Sequence, residues 1–159
     1  MNCYNGYTPK ERERKLRASY KAYPNHSHPF YQGACQICGD SRCAVEPHTE
    51  DYSEPYLWTN PAEYAVCKTC HSRLHKRFNS PFAWRAYKAH VSRGGFGSDL
   101  KTSSIRTGVT KFAKALEAGQ EPSPLPTLPE RTVRPAGAWW DQLTLDSDSL
   151  TNPNFRPRP

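Results

Sequence analysis

Four of the six cysteines in this 159-residue chain fall into two Cys-x-x-Cys pairs, Cys35/Cys38 and Cys67/Cys70. A pair spaced this way lets one tight turn aim both sulfurs at a single ion. Two such pairs complete the tetrahedral four-cysteine set of a structural zinc site. Cys3 and Cys43 are left over and read as plain thiols, Cys43 lying close enough to exchange as a ligand. Three histidines share the same stretch: His48 between the pairs, and His71 and His75 directly after the second. Imidazoles at i and i+4 of a helix lie one turn apart on one face. With His48 they offer three nitrogens and leave a coordination position open, the form of a site where a metal does chemistry. Imidazole nitrogen suits Ni²⁺ and Mn²⁺ as well as Zn²⁺, and Mg²⁺ stays open too.

The elements that must position these groups are legible in outline. Thr8-Pro9-Lys10-Glu11 has the form of a helix start, with Thr8 as N-cap, Pro9 at N1 and Glu11 closing a capping box. That helix runs to about Tyr23 and carries Leu16, Tyr20 and Tyr23 as a narrow stripe for docking on the zinc core. Residues 1–7 before it read as a loose end. Residues 42–48 and 64–66 read as short strands, the first with Pro47 at an edge or bend. From Cys70 the pattern turns helical, with His71, Leu74, His75 and Phe78 on one face. Ser80-Pro81 opens a helix to about Ser92, burying some of Phe82, Trp84, Tyr87 and Val91 and stopped by Gly94-Gly95. A last helix spans about 104–118. Trp58 also reads as core, whereas His26, His28 and His90 read as incidental.

After Gln120 no period survives, and eight of the fifteen prolines lie between Pro122 and Pro159. This is an extended tail. Its one sticky segment holds Trp139-Trp140, which are costly to leave in water and should dock on the domain, on a second copy or on another protein. The chain thus divides into a basic N-terminal helix and loop (1–34), a metal-ligand segment (35–79), a helical extension (80–120) and a Pro-rich docking tail (121–159).

Mean hydropathy is −0.87, and neither a leader-like apolar segment nor a run of membrane-spanning length occurs. An intracellular protein with reduced thiols is expected, so paired cysteines point to metal rather than disulfides. The net charge of +7 suggests an anionic partner, most simply nucleic acid. Placement says more than the total. From Tyr64 through Ser98 there is no Asp or Glu, yet Lys68, Arg73, Lys76, Arg77, Arg85, Lys88 and Arg93 all occur. Cations next to a metal helix are placed to neutralise a phosphate backbone without reading sequence.

Strand, loop, strand and helix, with Cys-x-x-Cys, His, then Cys-x-x-Cys-His-x-x-x-His, resembles the HNH endonucleases of the phage and bacterial type that carry a four-cysteine structural zinc. The resemblance covers residues 35–78. His48-Thr49-Glu50-Asp51-Tyr52-Ser53-x-Pro55 is also similar to a loop in which a His-His pair often precedes Asp-Tyr-Ser. It implies a small α+β fold: a ββα-metal finger on a four-cysteine zinc knuckle pair, flanked by helices and followed by the Pro-rich tail. It also implies a second divalent ion at the scissile phosphate, held by His71 and His75, with His48 at the strand end.

The chain departs from that family at Thr49, where many members carry the base histidine. Either His48 is the base, with the ion on the helix histidines and Glu46, or His48 is a ligand and Glu50 or Asp51 activates water. The expected function is metal-dependent hydrolysis of phosphodiester bonds, in DNA rather than RNA. Its catalytic set is His48, His71, His75 and Asp51, with DNA held by Lys68, Arg73, Lys76, Arg77, Arg85 and Lys88. The alternative is a non-catalytic zinc protein that binds nucleic acid and docks on a polymerase or packaging complex.

Overall fold

A computed structural model of the protein describes residues 4–28, 33–60, 62–131 and Trp140. Cys3, Trp139 and most of the expected tail lie outside the described residues. The expected loose end is in fact ordered from Tyr4. Asn5 and Gly6 both take positive φ, 52° and 80°, as a two-residue hairpin turn requires. Tyr4 and Tyr7 exchange backbone hydrogen bonds of 3.0 and 2.9 Å, and both rings are buried.

Thr8 then caps helix α1 (Pro9–Ala22). The Glu11 amide donates to Thr8 Oγ1 at 3.3 Å, and the Thr8 amide donates to the Glu11 carboxylate at 2.8 Å. The predicted capping box is present, but the predicted stripe does not dock on the zinc core. Leu16 and Tyr20 are 50 % and 60 % exposed. The helix is anchored instead by buried Lys15. Its ammonium donates to the carbonyls of Asp51 (2.8 Å) and Leu57 (3.0 Å) and lies 3.5 Å from the Glu63 carboxylate. Three acceptors match the three donors of an ammonium, so the charge is buried without an orphan.

Strands β1 (Val45–Thr49) and β2 (Glu63–Cys67) pair antiparallel, from Val45 opposite Cys67 to Thr49 opposite Glu63. β1 starts later than the sequence suggests. Pro47 lacks an N–H and faces Ala65 from the edge strand, where that lack is tolerated. On the other side of β2, the Gln36 amide donates to the Ala65 carbonyl, and the Ala65 amide donates to Gln36 Oε1, both at 2.7 Å. The first cysteine knuckle is thereby fastened to the strand that leads into the second.

Helix α2 (Lys68–His75) follows β2 without a loop. It stops before Phe78, which falls in the turn after it rather than on the expected face. Helices α3 (Pro81–Ser92) and α4 (Ser103–Glu117) pack on each other, joined through a 3₁₀ turn at Gly97–Lys101. Gly94 and Gly119 close them with φ of 96° and 67°. The described residues thus form a small α+β fold of four helices and one two-stranded antiparallel sheet. Its apolar cluster runs from Ile37 and Val66 through Leu74, Trp84 and Tyr87 to Ile105 and Val109.

The described part of the tail lies along this core. Leu125 and Leu128 pack on it, and Arg131 pairs with Asp99 at 2.8 Å. Trp140 is 3 % exposed, with its ring centre 6.0 Å from that of Trp84 in edge-on contact. Of the three docking places expected for the tryptophans, Trp140 occupies the chain's own core. His28 and His90 are also not incidental. Both are buried, His28 at 3.0 Å from the Glu63 carboxylate and His90 at 3.0 Å from the Phe96 carbonyl.

Candidate metal centres

Cys35 and Cys38 sit on the turn closed by the Gly39 amide, which donates to the Cys35 carbonyl at 2.8 Å. Cys67 ends β2 and Cys70 lies in the first turn of α2. All four are buried, and their sulfurs lie within 4.8 Å of one another. Four thiolates on one zinc would stand about 3.8 Å apart, given Zn–S bonds of about 2.3 Å in a tetrahedron. Hydrogen bonding from Cys38, Cys67 and Cys70 pushes the Cys35 thiol down, whereas contact with Cys35 pushes the Cys38 thiol up. Such crowded sulfurs cannot all ionise without a cation among them. The Cys67 amide donates to Cys35 Sγ at 3.2 Å, and the Tyr87 hydroxyl lies 3.0 Å from Cys70 Sγ. These contacts orient thiolates as outer partners of a metal site do. The four cysteines can therefore hold a metal ion such as zinc. Cys43 stays outside the set, its Sγ 3.5 Å from the Asp40 carbonyl.

The second group is His48 from β1 with His71 and His75 from α2, one nitrogen of each lying within 4.8 Å of the others. The register sets this up. His48 pairs across the sheet with Tyr64, and β2 runs straight into α2, so the strand end and the helix face meet. His71 and His75 approach to 2.8 Å between their Nε2 atoms. Two lone-pair nitrogens so close need a shared proton or a shared cation between them. Glu46 takes the other side of His71, 2.5 Å from Nδ1. That contact directs His71 Nε2 toward its neighbours, as a carboxylate behind a metal-bound imidazole does. Burial, and then the neighbouring His48 and His71, push the His75 pKa down to about 3, and burial also lowers that of His48. Both are neutral imidazoles near neutral pH, the ligand form.

Behind His48 lies a buried ionic network. Its Nε2 is 2.5 Å from Glu50 Oε1, and Arg77 Nη2 donates to Glu50 Oε2 at 3.1 Å. The Tyr4 hydroxyl donates to Glu50 Oε1 at 2.9 Å, and the Tyr4 ring centre lies 4.5 Å from that of His75. Burial alone would raise the Glu50 carboxyl, but Arg77 and His48 outweigh it and hold it down at about 2. Glu50 is thus a fixed anion that orients His48. Asp51, expected in the catalytic set, lies outside the histidine cluster. Its Oδ1 accepts from the Tyr7 hydroxyl (2.7 Å), the Ser53 amide (2.8 Å) and the Ser53 hydroxyl (2.6 Å), so it anchors the loop. Thr49 donates its hydroxyl to Glu63 Oε1 at 2.8 Å.

The predicted phosphate-binding cations divide. Lys68, Lys76 and Arg85 are exposed, and Arg73 and Lys88 are half-buried. Arg73 lies over the Tyr87 ring and Lys88 over that of Trp140, at 5.8 and 5.5 Å. Arg77 is a correction. It is 0 % exposed and closed in by Glu50, Tyr4 and Phe78, so it cannot reach DNA. Sequence spacing put it on the basic run but could not show that the chain turns inward after α2. One residue at this site escaped sequence reading, Tyr4. Asn5-Gly6 between two tyrosines was the signal for Tyr4, being the commonest short hairpin pair.

The chain matches no protein-family model, no curated protein and no solved structure. No helix among the described residues is long and apolar enough to cross a membrane.

Proposed function

We propose that the protein is a metal-dependent endonuclease of the HNH type, with β1, β2 and α2 as its ββα-metal finger and phosphodiester bonds of DNA as its substrate. The observation that carries this reading is the meeting of His48, His71 and His75 beside a separate cluster of four cysteines. A structural staple needs only the cysteines; three convergent imidazoles backed by Glu46 and Glu50 are the donor set for a second divalent ion. Charge building on the phosphoryl oxygens and the leaving 3′ oxygen is what such an ion offsets when bound. The chain's own residues divide the remaining work. His48, His71 and His75 hold the site, Glu50 and Glu46 fix ring orientation, and Lys68, Lys76 and Arg85 meet the phosphate backbone.

The non-catalytic reading draws on one observation, Thr49. A threonine hydroxyl is no base near neutral pH, and this one is committed to Glu63. In that reading the protein binds nucleic acid and docks on a larger nucleic-acid machine.

Plasmid nicking separates the two. Supercoiled DNA is expected to relax with Mg²⁺, Mn²⁺ or Ni²⁺, and His75→Ala should abolish this while zinc stays bound. Plasmid left intact with all three metals, while still shifted in a gel, would leave the binding protein standing and the nuclease rejected.

A further inference from the structure

Helix α1 and strand β1 wall a cleft of about 640 Å³ that also has His71 and His75 in its lining. That is the size of pockets that take small molecules. The Arg12 guanidinium lies 5.4 Å from the centre of the Tyr4 ring, and that ring packs on His75, which sets Arg12 at the histidine end. Leu16 and Tyr20 follow on the same wall about 6 and 12 Å further along the helix axis. They are large apolar side chains left 50 % and 60 % exposed on a helix held in place by other contacts.

Most charged groups of the cleft have a partner. Glu13 accepts from Arg17 at 2.6 Å, Glu46 faces His71, and Glu63 is met by Lys15, His28 and Thr49. Arg12 forms no ion pair among the described residues. The cleft therefore offers a cation beside the histidines and an apolar, aromatic wall beyond it.

We propose that this cleft takes one unstacked nucleotide of a single-stranded nucleic acid, its phosphate against Arg12 and its base against Leu16 and Tyr20. The proposal rests on the nuclease reading only in making that nucleotide the neighbour of the scissile bond. A base inside a duplex has both faces covered by stacking and cannot present one to a protein wall. The substrate class that fits is single-stranded or locally opened nucleic acid rather than intact duplex.

The test is fluorescence anisotropy of the zinc-loaded full chain, without added divalent metal, on a short labelled single strand and on a hairpin duplex. Wild type is expected to prefer the single strand. The double variant Leu16→Ala/Tyr20→Ala should lose about tenfold in single-strand affinity, the order of one stacking contact, with duplex affinity unchanged. Tyr20→Phe should keep the wild-type value, and Arg12→Ala should lower the salt slope by about one. Because Leu16 and Tyr20 are so exposed, the double variant should melt like wild type. Equal loss on both substrates, or no loss on either, overturns the proposal. A changed mass in light scattering with unchanged oligonucleotide affinity also overturns it, by making this face a contact between copies. Binding does not depend on cleavage, so the two readings fail separately. An intact plasmid with the single-strand effect present rejects the nuclease alone, and nicking without that effect rejects the cleft alone.

Discussion

Arg77 shows how a single side chain changes meaning between sequence and fold. Its guanidinium faces the Glu50 carboxylate at 3.1 Å with no exposed surface. Removing one member of a buried pair leaves the other charge without compensation, which costs about 3–5 kcal/mol. Arg77→Ala is therefore expected to lower stability by that amount in denaturant melts. Lys76→Ala, one residue earlier and exposed, should leave stability within about 0.5 kcal/mol and weaken DNA binding alone. The same network sets an acid limit. Glu50 is held at about 2 against an ordinary 4.5, and His75 at about 3 against 6.5. In both cases the unfolded chain binds the proton more readily, so stability falls as pH falls. The loss should begin below about pH 6.5 with His75 and steepen below about 4.5 with Glu50. An ion bound at the proposed histidine site would add to the same slope, because proton and ion compete for one lone pair. Thermal melts from pH 7 downward check it, and a midpoint that rises on acidification would contradict the network.

Among the elements, α1 and the tail are held by contacts that local patterning does not reveal. α1 hangs on Lys15, whose three acceptors come from the 51–57 loop and from β2. The tail segment crosses α4 at Gly108, where a Cβ would overlap Pro126. Gly→Ala inside a helix ordinarily stabilises by about 1 kcal/mol. Here Gly108→Ala is expected to lift the tail instead, seen as faster proteolysis after Gln120 with helical content retained. Truncation after Gln120 carries this further. It removes Leu125, Leu128 and the buried Trp140 from the core, and loss of a buried tryptophan alone costs about 3–5 kcal/mol. A truncate as stable as the full chain would show that the tail only rests on the surface.

At the scale of the molecule, the cysteine cluster ties the first knuckle, β2, α2 and α3 together. The first knuckle hydrogen-bonds to β2, Cys67 and Cys70 join β2 to α2, and Tyr87 of α3 touches Cys70. A chain of this size has a thin core, so a structural zinc there would supply a large share of the folding free energy. Chelation is expected to abolish cooperative unfolding and release one zinc. Replacing His71 and His75 together by alanine should keep that zinc and remove the proposed second ion, as metal analysis per chain would read.

Local spacing was enough to pick out the candidate metal ligands. Cys-x-x-Cys and His-x-x-x-His are local, so turn and helix geometry make their side chains converge whatever surrounds them. The capping box at Thr8 and the glycine stops at Gly94 and Gly119 were legible for the same reason. What each charge faces depends on long-range packing. Lys15, Glu50 and Arg77 look like surface residues in any local window, and long-range pairing buries all three. Tyr4 reaches the histidines from more than forty positions away, and Leu16 and Tyr20 stay exposed because another residue anchors their helix. Periodicity reports which residues share a face. What that face meets is settled only when distant segments pack.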